Sequence, residues 1–125
     1  KGTVDVWGTG NAKREFLYVN DMVDAAMYVL HLDKSIYETN TKSMLSHINI
    51  GSGIDITIRE LAETISEVVG FKGTIHFDSS KPDGAPRKLL DVSLINKLGW
   101  RASVGLREGL ASTYSWYLNA NDIRH

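Results

Sequence analysis

Three of the chain's fourteen lysine and arginine residues, Lys81, Arg87 and Lys88, fall in the segment SSKPDGAPRKLLD (residues 79–91), which also contains both prolines. Pro82 fixes its own φ, Asp83-Gly84 favours a turn, and Pro86 blocks an early helix start, so the cations are presented from a constrained loop. Asp83 and Asp91 place two carboxylates among them. Cations able to neutralise a diphosphate, beside acceptors for ribose or base donors, suit a nucleotide better than a nucleic acid. Composition leaves a second reading open, a surface turn whose charges are solvated.

Other chemistry is hard to find. The histidines at 31, 47, 76 and 125 have no H-E-x-x-H or other metal-ligand spacing, so they read as structural or surface residues and no metal is expected. There is no G-x-S-x-G elbow and no P-loop. Gly8/Gly10 and Gly51/Gly53 lack the third glycine of a dinucleotide fingerprint and read as turns, and no tyrosine has a lysine four residues on. No catalytic and no cofactor-binding residue is therefore assigned within the chain.

The elements that must carry the loop follow from pattern. At 125 residues, with 42% hydrophobic and 9% aromatic content, the chain is one domain with material for a core. A net charge of -1 argues against recruitment by nucleic acid or an anionic membrane, and no apolar run approaches the roughly 18 residues of a membrane span. The absence of cysteine excludes disulfides and thiolate metal sites and agrees with a cytoplasmic setting. A strand-like stretch begins directly after Lys1, with no initiator Met and no signal peptide, which suggests a piece of a longer protein.

TVDVW (3–7) alternates with period two and reads as a strand, Phe16–Val19 as a second, and HINI (47–50) as a third. Asn20 or Asp21 is placed to cap a helix through about Leu32, apolar on nearly every face and so expected to be covered on more than one side. Residues 33–46 read as irregular. Thr57 and Glu60 form a capping box ahead of a helix with Ile58, Leu61, Ala62, Ile65, Val68 and Val69 on one face, closed by Gly70. TIHFD (74–78) is a strand, Ser93 caps a short helix ending at Gly99, and a last helix over about 106–119 buries Leu106, Leu110, Tyr114 and Leu118. Interleaving of this kind predicts an α/β fold with α+β character.

TVDVWGTGNAKREFLYVND (3–21), with its strand, Gly-x-Gly turn, Arg-Glu-Phe and Val-x-Asp, resembles a segment of the extended short-chain dehydrogenases. The likeness continues through MLSHINIGSG (44–53), TIRELAETI (57–65), SKPDGAPRKLLDVS (80–93), LGW (98–100) and GLASTYSWYL (109–118), where the Pro-rich loop points specifically to the GDP-L-fucose synthases. The resemblance covers nearly the whole chain. It implies that residues 1–125 are the C-terminal, nucleotide-sugar-binding domain of an NADP-dependent enzyme that epimerises GDP-4-keto-6-deoxy-D-mannose at C3 and C5 and reduces its 4-keto group.

On that resemblance the Rossmann domain is largely missing, and with it the NADP(H) loop, the Ser-Tyr-Lys reduction set, and the epimerising Cys and His. It further implies a homodimer for the full-length enzyme and four contacts to the GDP-sugar: Trp7, Arg14, Asp83 and Lys88. Trp7 would wall the ligand, Arg14 would fork diphosphate or sugar oxygens, Asp83 would accept from ribose or guanine, and Lys88 would neutralise diphosphate. Lys81 and Arg87 would serve as understudies to Lys88. Against these stand a core tryptophan, an Arg14 ion pair with Glu15 or Asp21, a turn aspartate and solvated lysines. The alternatives to the whole reading are another nucleotide-sugar epimerase or dehydratase, told apart by its base preference, and a non-catalytic nucleotide-sugar binding module.

Overall fold

A computed structural model describes residues 2–122. Strand β1 (Thr3–Trp7) pairs in parallel with β4 (Thr74–Asp78), from Thr3 opposite Thr74 to Trp7 opposite Asp78. A second, three-stranded sheet has β2 (Lys13–Glu15) at its centre, antiparallel to β3 (Asp55–Thr57) and parallel to β5 (Arg87–Lys88). The helices are α1 (Val19–Leu30), α2 (Lys34–Asn40), α3 (Ile58–Val69), α4 (Ser93–Lys97) and α5 (Leu106–Asp122). The mixture of parallel and antiparallel strands with interleaved helices is the expected α/β arrangement with α+β character.

Helix α3 forms where its local chemistry dictates. Thr57 Oγ1 accepts from the Glu60 N–H at 3.1 Å while the Glu60 carboxylate accepts from the Thr57 N–H at 2.8 Å, satisfying two donors that the helix leaves unpaired. The helix stops at Gly70, whose φ of 69° only glycine adopts cheaply, and the Phe71 N–H closes onto the Ser66 carbonyl. Its apolar stripe packs against α5.

The core is small. Ala25, Val92, Ile95 and Trp100 are buried together, with Leu17, Val29, Ile48, Ile50 and Ala102 partly buried around them. The Trp100 indole N–H donates to Asp24 at 2.9 Å, and the Tyr28 hydroxyl donates to the Leu98 carbonyl at 2.6 Å. Asp21 is buried in the first turn of α1 and accepts from the Ser103 N–H, the Ser103 hydroxyl and the Val104 N–H at 2.9–3.0 Å. Burial alone would raise its pKa. The three donated hydrogen bonds outweigh that and hold it below the usual carboxylate range.

Several expectations are corrected. The second strand lies at Lys13–Glu15, not over residues 16–19, because its register is set by partners on both sides and not by the apolar run that follows. HINI forms no ladder; Ile48 and Ile50 pack as side chains against the core. Helix α1 starts at Val19 with neither Asn20 nor Asp21 as cap, since the Asp21 carboxylate is turned to residues 103–104. Ser93 opens α4 as its first residue, and its N–H is held by Asp91 at 2.9 Å. Leu118 is exposed. Helix α1 is covered on one side only: Ala25 is fully buried, whereas Val19, Met22, Val23, Met27 and Leu30 are exposed. Helix α2 and strands β3 and β5 are further elements that composition did not indicate.

Candidate functional site

The turn Gly8-Thr9-Gly10 between β1 and β2 is where the Pro-rich loop lands. Asp83 Oδ1 accepts from the Thr9 N–H at 2.6 Å and Oδ2 from the Thr9 hydroxyl at 2.8 Å. These two bonds, hydroxyl first and N–H second, hold the Asp83 pKa below the usual carboxylate range. The carboxylate lies so close that a Cβ on Gly8 would meet Oδ1 at 2.4 Å, and Gly8 has a φ of 94°, so glycine is required there on both counts. Arg59 braces the turn: its guanidinium donates to the Thr9 carbonyl at 2.9 Å and lies 3.8 Å from the Phe77 ring centroid.

Glu15 ties the other end of the loop. Its carboxylate accepts from the Gly53 N–H at 2.7 Å and the Leu90 N–H at 3.1 Å, joining β2, the glycine pair at 51–53 and the segment after β5. The Lys13 N–H donates to the Pro86 carbonyl at 2.8 Å, fixing β5 alongside β2.

Register then sorts the charges by face. Side chains alternate along a strand, so Arg14 and its partner Lys88 share one face of the sheet, while Arg87 lies on the other with Lys13, Glu15 and Asp55. On that second face Arg87 is paired with Asp55, which raises the guanidinium pKa and lowers that of the carboxylate through the hydrogen bond between them. Arg14 is different. It makes no ion pair among the described residues; one guanidinium nitrogen donates to the Lys13 carbonyl at 2.6 Å, and the other lies 3.7 Å from where a Cβ on Gly84 would stand. The alternative for Arg14, an ion pair with Glu15 or Asp21, is not formed, since both carboxylates are engaged elsewhere.

Trp7 ends β1 beside Gly8 with 73% of its surface exposed, so it is not a core tryptophan, and the Lys81 ammonium lies 5.6 Å from its ring centroid. Trp7, Arg14, Asp83 and Lys88 are thus all carried on β1, β2, β5 and the loop that joins them at one turn. Thr9, Glu15 and Arg59, which hold that arrangement, carried no assignment from sequence; the signals available were the position of Thr9 between two glycines and the place of Glu15 inside Arg-Glu-Phe.

The glycine turns do not fit a dinucleotide cofactor. Gly8-Thr9-Gly10 leads into a strand, and the N–H groups of Gly8 and Thr9 are spent on the Asp78 carbonyl and Asp83. Gly51-Ser52-Gly53 also leads into a strand, with the Gly53 N–H spent on Glu15. Neither offers the free N–H groups at a helix start that a pyrophosphate needs.

The NAD dependent epimerase/dehydratase family matches residues 1–51. The GDP-L-fucose synthase of Escherichia coli (strain K12) is 56% identical over 119 residues, 95% of this chain and 37% of that protein. A solved GDP-6-OMe-4-keto-L-xylo-heptose reductase from C. jejuni superposes with a TM-score of 0.84 at 39% identity, over 94% of this chain and 34% of that one. A GDP-mannoheptose C4 reductase from Campylobacter jejuni, solved with NADP bound, gives a TM-score of 0.77 at 39% identity, over 92% of this chain and 34% of that one. The chain spans about a third of the length of the curated relatives it matches. No helix among the described residues is long and apolar enough to cross a membrane.

Proposed function

We propose that residues 1–125 are the C-terminal, nucleotide-sugar-binding domain of an NADP-dependent GDP-L-fucose synthase, which converts GDP-4-keto-6-deoxy-D-mannose to GDP-L-fucose by 3,5-epimerisation and 4-keto reduction. The observation that carries the reading is the guanidinium of Arg14, without a carboxylate partner among the described residues and on the same sheet face as Lys88. Two cations on one face suit a diphosphate, and a planar fork beside a mobile point charge gives both direction and neutralisation.

Trp7 offers an exposed indole for stacking or walling, and its contact with the Lys81 ammonium supports a surface suited to an exchangeable partner. Asp83 uses one acceptor position on each oxygen for Thr9, with the Gly10 N–H also directed at the carboxylate, and its remaining acceptor capacity serves ribose or base donors. Of the understudies to Lys88, Lys81 is available and Arg87 is already neutralised by Asp55.

NADPH supplies the hydride for the reduction. No residue of this chain is assigned to that step, and the cofactor, the catalytic groups and the homodimer contacts are placed in a Rossmann domain outside these residues. The Escherichia coli relative and the two heptose reductases named above share GDP but differ in sugar, and the 56% identity to a GDP-L-fucose synthase favours fucose over heptose. Calorimetric titration of the gene's full-length product with GDP-L-fucose, UDP-glucose and a dTDP-sugar tests the base. Clear preference for GDP-L-fucose is expected; equal affinity or preference for UDP or dTDP contradicts the reading and favours a sister epimerase or dehydratase.

A further inference from the structure

Arg14 and Asp83 carry opposite charges in the candidate site and do not pair. The Arg14 guanidinium lies beside Gly84, the residue directly after Asp83, yet Asp83 makes no ion pair with it. A carboxylate next to an unpaired guanidinium ordinarily turns to meet it, because the bidentate pair is the strong geometry for both groups. What holds Asp83 elsewhere is Thr9, which takes Oδ1 with its N–H and Oδ2 with its hydroxyl, at 2.6 and 2.8 Å. Two donors from one residue fix the plane of the carboxylate as well as its position.

Thr9 is itself immobilised. Its carbonyl accepts from Arg59, its hydroxyl oxygen accepts from the Asn11 N–H at 3.2 Å, and the flanking glycines at φ 94° and 82° set the turn. Gly10 leaves room for Phe77, whose ring would stand 2.7 Å from a Cβ placed there, and Arg59 stacks on that ring. The grip on Asp83 is thus anchored through β4 and the start of α3.

We propose that Thr9 is a positioning residue that keeps Asp83 and Arg14 apart, so that the acid and the cation both remain available to a nucleotide diphosphate instead of neutralising each other. The inference rests on the functional reading above and goes beyond it by assigning a role to a residue that touches no ligand in that reading. Loss of the hydroxyl frees Oδ2, the carboxylate swings toward Arg14, and two ligand contacts are lost through one substitution outside the contact set.

The test is a set of GDP titrations by calorimetry on the gene's full-length product: wild type, Thr9→Ser, Thr9→Val, Asp83→Asn, and Thr9→Val combined with Asp83→Asn. Thr9→Ser keeps both donors and should bind GDP like wild type. Thr9→Val should weaken binding by about tenfold or more, the scale of losing a charge-assisted contact. Neutralising Asp83 in the Thr9→Val background frees Arg14, so the double variant should bind more tightly than Thr9→Val alone and return to the level of Asp83→Asn. A merely structural threonine gives no such recovery. Thr9→Val equal to wild type, or a double variant no tighter than Thr9→Val, overturns the proposal; Thr9→Ala replaces the valine in both roles should Thr9→Val fail to fold. Wild type that binds no GDP overturns the functional reading and this inference with it, whereas wild type that binds GDP without the recovery overturns this inference alone.

Discussion

Replacing Asp21 by alanine removes the acceptor for two backbone N–H groups and one hydroxyl in residues 103–104, the contact that pins the first turn of α1 to the chain entering α5. An N–H left without an acceptor in a buried place costs about 1–3 kcal/mol. Ser103 is exposed enough for water to replace part of the loss, and Val104 is half-buried, so the sum for Asp21→Ala is about 2–4 kcal/mol. Asp21→Asn is the instructive control: its amide oxygen can still take both N–H groups, the Ser103 hydroxyl can turn to accept from the amide, and only the charge is lost, at about 1 kcal/mol. With a urea dependence of about 1–3 kcal/mol per molar, the alanine variant should lose about 1–2 M in its unfolding midpoint and the asparagine variant less than about 1 M. Urea unfolding followed by far-UV circular dichroism reads both. Equal midpoints for the two variants, or an alanine shift below about 0.3 M, would refute the claim that this carboxylate fastens α1 through its hydrogen bonds.

Arg14→Ala should weaken GDP-L-fucose binding by about ten- to a hundredfold, from loss of a charge-assisted bond of about 1.5–3 kcal/mol; unchanged calorimetric affinity with the fold intact removes Arg14 from the site. Asp83→Asn keeps size and turn preference but replaces an acceptor-only carboxylate, so GDP-L-fucose affinity should fall while the melting temperature barely moves; preserved affinity makes Asp83 a turn residue only. Asp21, Asp55, Glu60, Asp78, Asp83 and Asp91 all have folded pKa values below their ordinary ones, so the unfolded chain binds more protons in acid. The stability they contribute is present above the unfolded values near 4 and is lost as pH falls through the lower folded values; the melting temperature should drop between about pH 5 and 3, and a flat profile there contradicts the network. The chain exposes 9024 Å², against roughly 6,700 Å² expected of a compact monomer of its size, and the excess includes the apolar face of α1. The isolated 125 residues should therefore self-associate or bind a hydrophobic dye, and a dye-silent monomer in the ultracentrifuge at high concentration would favour a stand-alone module.

What the sequence disclosed was local. Thr57, Glu60 and Gly70 name the ends of α3 because capping is decided within one turn of chain, and the alternation of residues 3–7 names β1 for the same reason. The second sheet was illegible because β2 and β5 are two or three charged residues each, made strands only by partners far away in sequence. HINI misled because two isoleucines spaced for a strand serve equally as side chains packed against the buried cluster of Ala25, Val92, Ile95 and Trp100. Helix α2 was hidden in a polar stretch whose exposed Lys34–Glu38 pair spans one helical turn. For the site, the loop and its charges were visible, but the difference between Arg87, which is neutralised, and Arg14, which is not, lies in register. The bond from Thr9 to Asp83 spans 74 residues, and no local pattern announces it.

The central claim is most directly tested by incubating the gene's full-length product with GDP-4-keto-6-deoxy-D-mannose and NADPH and identifying the product by chromatography and NMR. GDP-L-fucose, formed by wild type and lost or strongly reduced in Arg14→Ala at low substrate, is the predicted result. A different reduced sugar, or no consumption of the keto sugar by a folded, NADPH-binding protein, would contradict the account.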